Sequence, residues 1–180
     1  MRTQPLGSAT AGRHAGPDDA LAFLSADHQQ VTELFDQFEA ALESASADQR
    51  QLCEQICNEL EIHSQLEEEI FYPTIEQEAS IKPLVEQAIE EHAEVKIAIQ
   101  QIRNLQVDDP QFGVSMLQLM EDVEQHVDEE ENVMFAEVEK RLGGELIGIG
   151  IQLEKRKREL LSALQDAPNE FSSPAIGPDF

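Results

Sequence analysis

The chain has 180 residues, 41% of them hydrophobic and 27% charged, with a formal net charge of −25 at pH 7. That length suits one domain with a sizeable core, and the charge counts against nucleic acid and anionic membranes as partners. One Tyr, no Trp, and Val, Ile and Phe at helical rather than alternating spacing count against a sheet-based fold; no stretch approaches the roughly 18 apolar residues of a membrane span.

Residues 1–17 are rich in Gly, Ala, Thr and Pro and read as a disordered tail that carries His14. Met1 to Gly16 has no hydrophobic signal core, which points to a cytoplasmic protein. Helix 1 is expected from a cap at Asp18 or Asp19 to about Ser44. Ser46 with Gln49 forms a capping box that starts helix 2, which runs through Glu69 to a kink or stop near Pro73. Cys53 and Cys57 read as reduced, partly buried small residues, with a redox pair or soft metal ligands as the alternative. Ser80 is the expected cap of helix 3, with Pro83 in its first turn and an end near Asn104. Asp109-Pro110 is a cap followed by proline at the first helical position, and Gly143-Gly144 ends helix 4. Glu145 to Leu164 reads as a fifth helix whose basic run, Lys155 to Arg158, lies on a solvated face. The last stretch, 166–180, reads as a second loose tail.

Four of the five histidines stand at seam positions that otherwise hold apolar residues. Helix 1 gives Leu21, Leu24, His28, Val31, Phe35, Phe38 and Leu42, and helix 2 gives Cys53, Ile56, Leu60, His63, Glu67, Ile70 and Thr74. Helix 3 gives Val85, Ala88, His92, Val95, Ile99 and Ile102, and helix 4 gives Phe112, Met116, Leu119, Val123, His126, Glu130 and Val133. Seam positions face a bundle core. Unpaired imidazoles and carboxylates buried there cost several kcal/mol each. Something must offset that cost, and a metal centre is the obvious candidate.

The chain also repeats itself. Asp27-His28 resembles Glu91-His92, and His63-x-x-x-Glu67 resembles His126-x-x-x-Glu130. Two like hairpins would pack with pseudo-twofold symmetry. The point halfway between His28 and His63 falls in the turn signal Ser44–Ala47. The corresponding points for His63 with His92, and for His92 with His126, fall between Pro73 and Ser80 and at Asp109. Each connection therefore folds the histidines back to one level. Each His–Glu pair lies on one helical face, about 6 Å apart in rise. One ion with six ligands is possible, but two pseudo-symmetric carboxylates are better suited to bridging two. Such donors suit iron, manganese or zinc.

This pattern resembles the hemerythrin-like HHE cation-binding domain family. The resemblance rests on His28, His63-x-x-x-Glu67, His92, His126-x-x-x-Glu130 and the phrase Glu67-Glu-Glu-Ile-Phe-Tyr-Pro73, and it covers roughly residues 18–142. It implies an all-α, antiparallel up-down four-helix bundle at 18–142, followed by a C-terminal helix at 143–165. It also implies a non-haem di-iron centre with an oxo or hydroxo bridge, manganese or zinc being less favoured. The metal ligands it implies are His28, His63, Glu67, His92, His126 and Glu130. Lys96 stands where oxygen-carrying members have a further histidine, and Glu130 follows His126 by four residues where theirs follows by five. One histidine fewer leaves more open coordination for chemistry. The expected partners are a small diatomic ligand or peroxide, with no nucleic acid and no membrane. The expected function is reaction with, or sensing of, dioxygen, peroxide or nitric oxide; the alternative is an iron- or oxygen-sensing module without turnover. Glu68, Glu69, Asp128, Glu129 and Glu131 read as solvated flanks, with an ion entry path as the alternative; Tyr72 reads as a packing residue, with a phenol that supports the metal ligands or forms a radical as the alternative; Lys96 reads either as a surface lysine or as a residue that pairs with a bridging carboxylate or gates a ligand.

Overall fold

The computed structural model describes residues 19–44 and 47–166 and is helical throughout. Helix α1 (Ala20–Glu43) starts at Asp19, whose Oδ1 accepts from the Ala22 N–H at 2.9 Å. Helix α2 (Gln49–Leu66) runs into a π-helical turn, π1 (Glu67–Phe71), and a last helical turn, α3 (Tyr72–Ile75). Helix α4 (Lys82–Arg103) runs back beside α2. Helix α5 (Pro110–Glu129) starts at Asp109, whose Oδ1 accepts from the Gln111 N–H at 2.8 Å, and continues as π2 (Glu130–Met134) and α6 (Phe135–Leu142). Helix α7 (Leu146–Asp166) packs on α1 and α2. The architecture is the expected four-helix bundle with a fifth helix. Among the described residues, no helix is long and apolar enough to cross a membrane.

The two expected tails lie almost wholly outside the described residues, as does Ser46; α7 itself continues to Asp166. Gln49 is the first helical residue of α2, and its buried Nε2 donates to the Ala41 carbonyl at 3.1 Å, which ties α2 to the end of α1. Ser80 does not cap α4. The Ile81 and Lys82 N–H groups bond instead to the Glu78 carbonyl at 2.9 and 3.1 Å, and Ile81 holds the cap position.

The π turns change which residues face inward. The Tyr72 N–H bonds to the Glu67 carbonyl and the Phe135 N–H to the Glu130 carbonyl, five residues back rather than four. Each turn therefore holds one residue more than an α-helix and moves the inward face forward by one position. The seam expected at Ile70, Thr74 and Val133 runs through Phe71, Ile75 and Met134; Val133 is 48% exposed. Pro73 follows π1, but Ala136 stands at that place after π2, so proline is not what imposes the turn.

The core comprises two apolar clusters. One holds Leu24, Leu66, Phe71, Ile75, Val85, Phe135 and Leu153. The other holds Val31, Phe35, Phe38, Ile56, Leu60, Ile99, Phe112 and Met116. Between them lies a layer of buried polar side chains, and that layer is the site.

Candidate metal centre

Each of the four rods of the bundle (α1, α2 to α3, α4, and α5 to α6) contributes one imidazole to this layer. His28, His63, His92 and His126 are 4–6% exposed, Glu67 is fully buried and Glu130 is 2% exposed. The His28 and His63 Nε2 atoms lie 3.1 Å apart, and those of His92 and His126 lie 3.3 Å apart. The carboxylates span the two pairs. Glu67 Oε2 is 3.2 Å from His63 Nε2 and 3.3 Å from His92 Nε2. Glu130 Oε2 is 3.3 Å from His28 Nε2 and 3.9 Å from His126 Nε2. All six residues singled out by the seam pattern thus converge. They form two groups, His28–His63–Glu67–Glu130 and Glu67–His92–His126, each compact enough to hold one ion.

Each of these four histidines also has a carboxylate behind it. Nδ1 of His28 is 2.8 Å from Glu131, that of His92 is 3.1 Å from Glu68, and that of His126 is 2.7 Å from Glu91. His63 Nδ1 faces Asp27 Oδ2 at 4.0 Å. An Nδ1–H that donates outward leaves Nε2 with a bare lone pair. Two such lone pairs about 3 Å apart, beside buried carboxylate oxygens, repel unless a cation lies among them. Glu67 Oε1 and Glu130 Oε2 are buried without a hydrogen-bond partner. These orphaned acceptors and inward lone pairs fit a metal ion, and the imidazole–carboxylate set suits iron, manganese or zinc.

The protonation pattern reflects the same field. Burial lowers the proton affinity of His63, but the Glu67 charge, with Asp27 and Glu130, outweighs it and pushes the group up to about 10. His92 is likewise raised against burial by Glu67 and Glu68. Burial pushes Glu67 up, yet His63 and His92 hold it well below the usual carboxylate range. A site that attracts protons this strongly attracts metal cations for the same reason, and the two compete.

Tyr72 lies over the centre rather than merely packing. Its hydroxyl donates toward Glu67 Oε2 at 3.0 Å and Glu130 Oε1 at 3.1 Å, and burial together with those two charges raises its pKa well above the ordinary value. Its ring stacks on His92 with centroids 5.6 Å apart. The equivalent residue of the second repeat, Phe135, stacks on His28 at 6.1 Å. On the opposite side, an apolar cavity of about 20 Å3 lies against the four imidazoles and is walled by Val31, Leu60, Val95, Val123 and Val127. It has room for about one water-sized or diatomic molecule.

Several residues here were read otherwise from sequence. Glu68 and Glu131 are not solvated flanks but stand behind His92 and His28. Lys96 does not meet a bridging carboxylate; its Nζ donates to both oxygens of Glu68 at 2.6 and 2.7 Å. The basic run is not wholly a solvated face, since Arg156 bonds Glu69 at 2.7 Å and Lys157 bonds Asp27 at 2.8 Å. The signal available was the repeat itself: an acidic residue precedes each lone histidine, and another follows each seam glutamate. Cys53 and Cys57 are free thiols, fully buried in the second cluster; their mutual hydrogen bond and burial push Cys57 up, which keeps it protonated.

Comparison with known proteins agrees with this geometry. The family model described as the hemerythrin HHE cation binding domain matches residues 19–138. The crystal structure of a hemerythrin HHE cation binding domain-containing protein from Mycobacterium kansasii shares the fold. Its TM-score is 0.71, over 85% of this chain and 94% of that one, at 23% identity. A curated protein described as a DNA nickase, from Nostoc sp. (strain PCC 7120 / SAG 25.82 / UTEX 2576), is 30% identical over 125 residues, or 66% of this chain. The chain spans only 33% of that relative's length.

Proposed function

The chain belongs to the hemerythrin HHE cation binding domain family, and from that premise we propose that it is a non-haem di-iron protein that reacts with or senses dioxygen, peroxide or nitric oxide. The observation that carries this reading is the diatomic-sized apolar cavity against the four imidazoles. A pair of irons bound there would supply electrons and open coordination for a small molecule. The rest falls to the chain. Both carboxylates reach a histidine of each pair, which suits them to bridging two ions. The outer carboxylates fix the tautomers of His28, His92 and His126, the valine-rich wall makes the cavity apolar, and the Tyr72 hydroxyl holds a proton against Glu67 and Glu130.

A sensing module without turnover is the second reading, favoured by one observation: helix α7, outside the four-helix bundle, is bonded to Asp27 behind His63. Nicking of DNA is not carried over from the Nostoc protein, because the matched region is a third of it and a net charge of −25 repels a phosphate backbone. The buried free thiols suit a reducing compartment such as the cytoplasm.

The test is metal content and optical spectrum of protein from iron-supplemented cells, beside the His63→Ala, His126→Ala double variant. About two irons per chain, with ferric charge-transfer absorption that the variant loses, is the expected result; peroxide and nitric-oxide assays then separate turnover from sensing. No bound metal, with equal stability in both proteins, would overturn the reading.

A further inference from the structure

The two histidine pairs are related by pseudo-symmetry, but their surroundings are not. Glu91 bonds His126 Nδ1 at 2.7 Å and accepts from the Gln87 amide on its own helix at 2.8 Å. Its counterpart Asp27 is held by a charge from elsewhere in the chain. Lys157 Nζ, on α7, donates to Asp27 Oδ1 at 2.8 Å and lies 3.4 Å from Glu59 Oε2. The lysine side chain is only 14% exposed. A largely buried ammonium is costly unless carboxylates pair with it, so these contacts fix its place. Asp27 Oδ2 and His63 Nδ1 face each other at 4.0 Å, both buried and neither with a hydrogen-bond partner. The other three histidines hold their carboxylates at 2.7–3.1 Å. The His63 contact alone has slack, and Lys157 decides where Asp27 rests.

We propose that Lys157 is a positioning residue for the His28–His63 metal position: it fixes Asp27 behind His63, so that α7 and the bound ion stabilise one another. This rests on the metal-binding reading above. The coupling is reciprocal, because whatever α7 adds to metal affinity the metal returns to α7 docking. The two ion positions are therefore unequal: the one holding His28 and His63 is the one that Lys157 reaches through Asp27.

Cobalt(II) titration of the full chain, followed by visible absorption and checked by circular dichroism, tests this. In Lys157→Met, one of the two ions should bind about tenfold more weakly, the low end of the range for an outer partner of a metal-bound histidine, because Lys157 acts on His63 through Asp27. Lys157→Arg should restore most of that loss. Arg156→Met removes a different α7 contact, to Glu69, and should leave both affinities within about threefold of wild type, well short of the range above. In the wild type, cobalt should slow amide exchange around Lys157. Unchanged binding in Lys157→Met, an equal loss in Arg156→Met, or amide exchange indifferent to cobalt would each overturn the proposal while leaving the metal centre intact. A wild type that binds no cobalt would remove the metal-binding reading and the coupling with it.

Discussion

Replacing Tyr72 by Phe isolates what one hydroxyl does in this layer. Phe135 already occupies the equivalent place in the second repeat, so a phenyl ring fits without repacking. What is lost is one proton directed at two buried carboxylates, 3.0 and 3.1 Å away. A hydrogen bond to a charged acceptor contributes about 1.5–3 kcal/mol, and a single proton counts once, so the metal-free variant should lose about 2 kcal/mol. For a chain of this size that lowers the melting temperature by about 4–8 °C. In the metal-loaded protein the ions take over the carboxylate charge, and the loss should be below about 1 kcal/mol. The difference has a second reading by linkage: the variant should bind metal at least about fivefold more tightly than wild type. Thermal and urea melts of both proteins, with and without metal, supply all four numbers. Equal losses with and without metal, or no loss in the metal-free form, would refute the reasoning.

Other outcomes follow from the same geometry. Val123→Phe fills the cavity beside the imidazoles and should leave metal content unchanged while slowing reaction with nitric oxide or peroxide at least about tenfold, a barrier increase of roughly 1.4 kcal/mol; unaltered rates would place the small ligand elsewhere. Phe135→Ala removes a ring stacked on His28 and edge-on to Phe71, and should cost about 3–5 kcal/mol in denaturant unfolding; a cost below about 1 kcal/mol would show that the ring does not pack as described. In the metal-free protein, with burial opposing, Glu67 and Asp27 raise His63 from 6.5 to about 10, so its protonation stabilises the fold fully below 6.5 and that contribution is lost as pH rises through about 10. Glu67, held below its ordinary 4.5, contributes above that value and ceases to as pH falls through its lowered pKa. The urea midpoint should therefore be highest between 4.5 and 6.5 and decline toward pH 10. Bound metal replaces the proton on His63 and should abolish the alkaline decline; a decline that persists with metal bound would refute the competition.

The seam histidines were legible because each interrupts an otherwise apolar stripe, and the capping aspartates Asp19 and Asp109 because their chemistry is local. The π turns were not legible. A hydrophobic stripe read at constant period assumes a uniform helix, so Val133 was assigned inward, whereas one added residue turns it outward and brings Met134 into the core. Glu68, Asp27, Glu91 and Glu131 were missed for a different reason. Each adjoins a site residue in sequence and so points about 100° away from it around its own helix. Only the neighbouring helix turns that direction into a contact. Lys157 lies 130 residues from Asp27, and no periodicity links them.

The polar layer separates two apolar clusters, each built by all four rods. Within the core, mechanical continuity between the ends of the bundle therefore passes through imidazoles and carboxylates. Joined by metal, those groups would make the bundle one cooperative unit. Without it, the end holding Phe38 and Phe112 and the end holding Phe71 and Phe135 would behave as partly independent unfolding units, each opening at lower cost than the whole. Metal would then govern how much of the chain melts at once, as well as how stable it is.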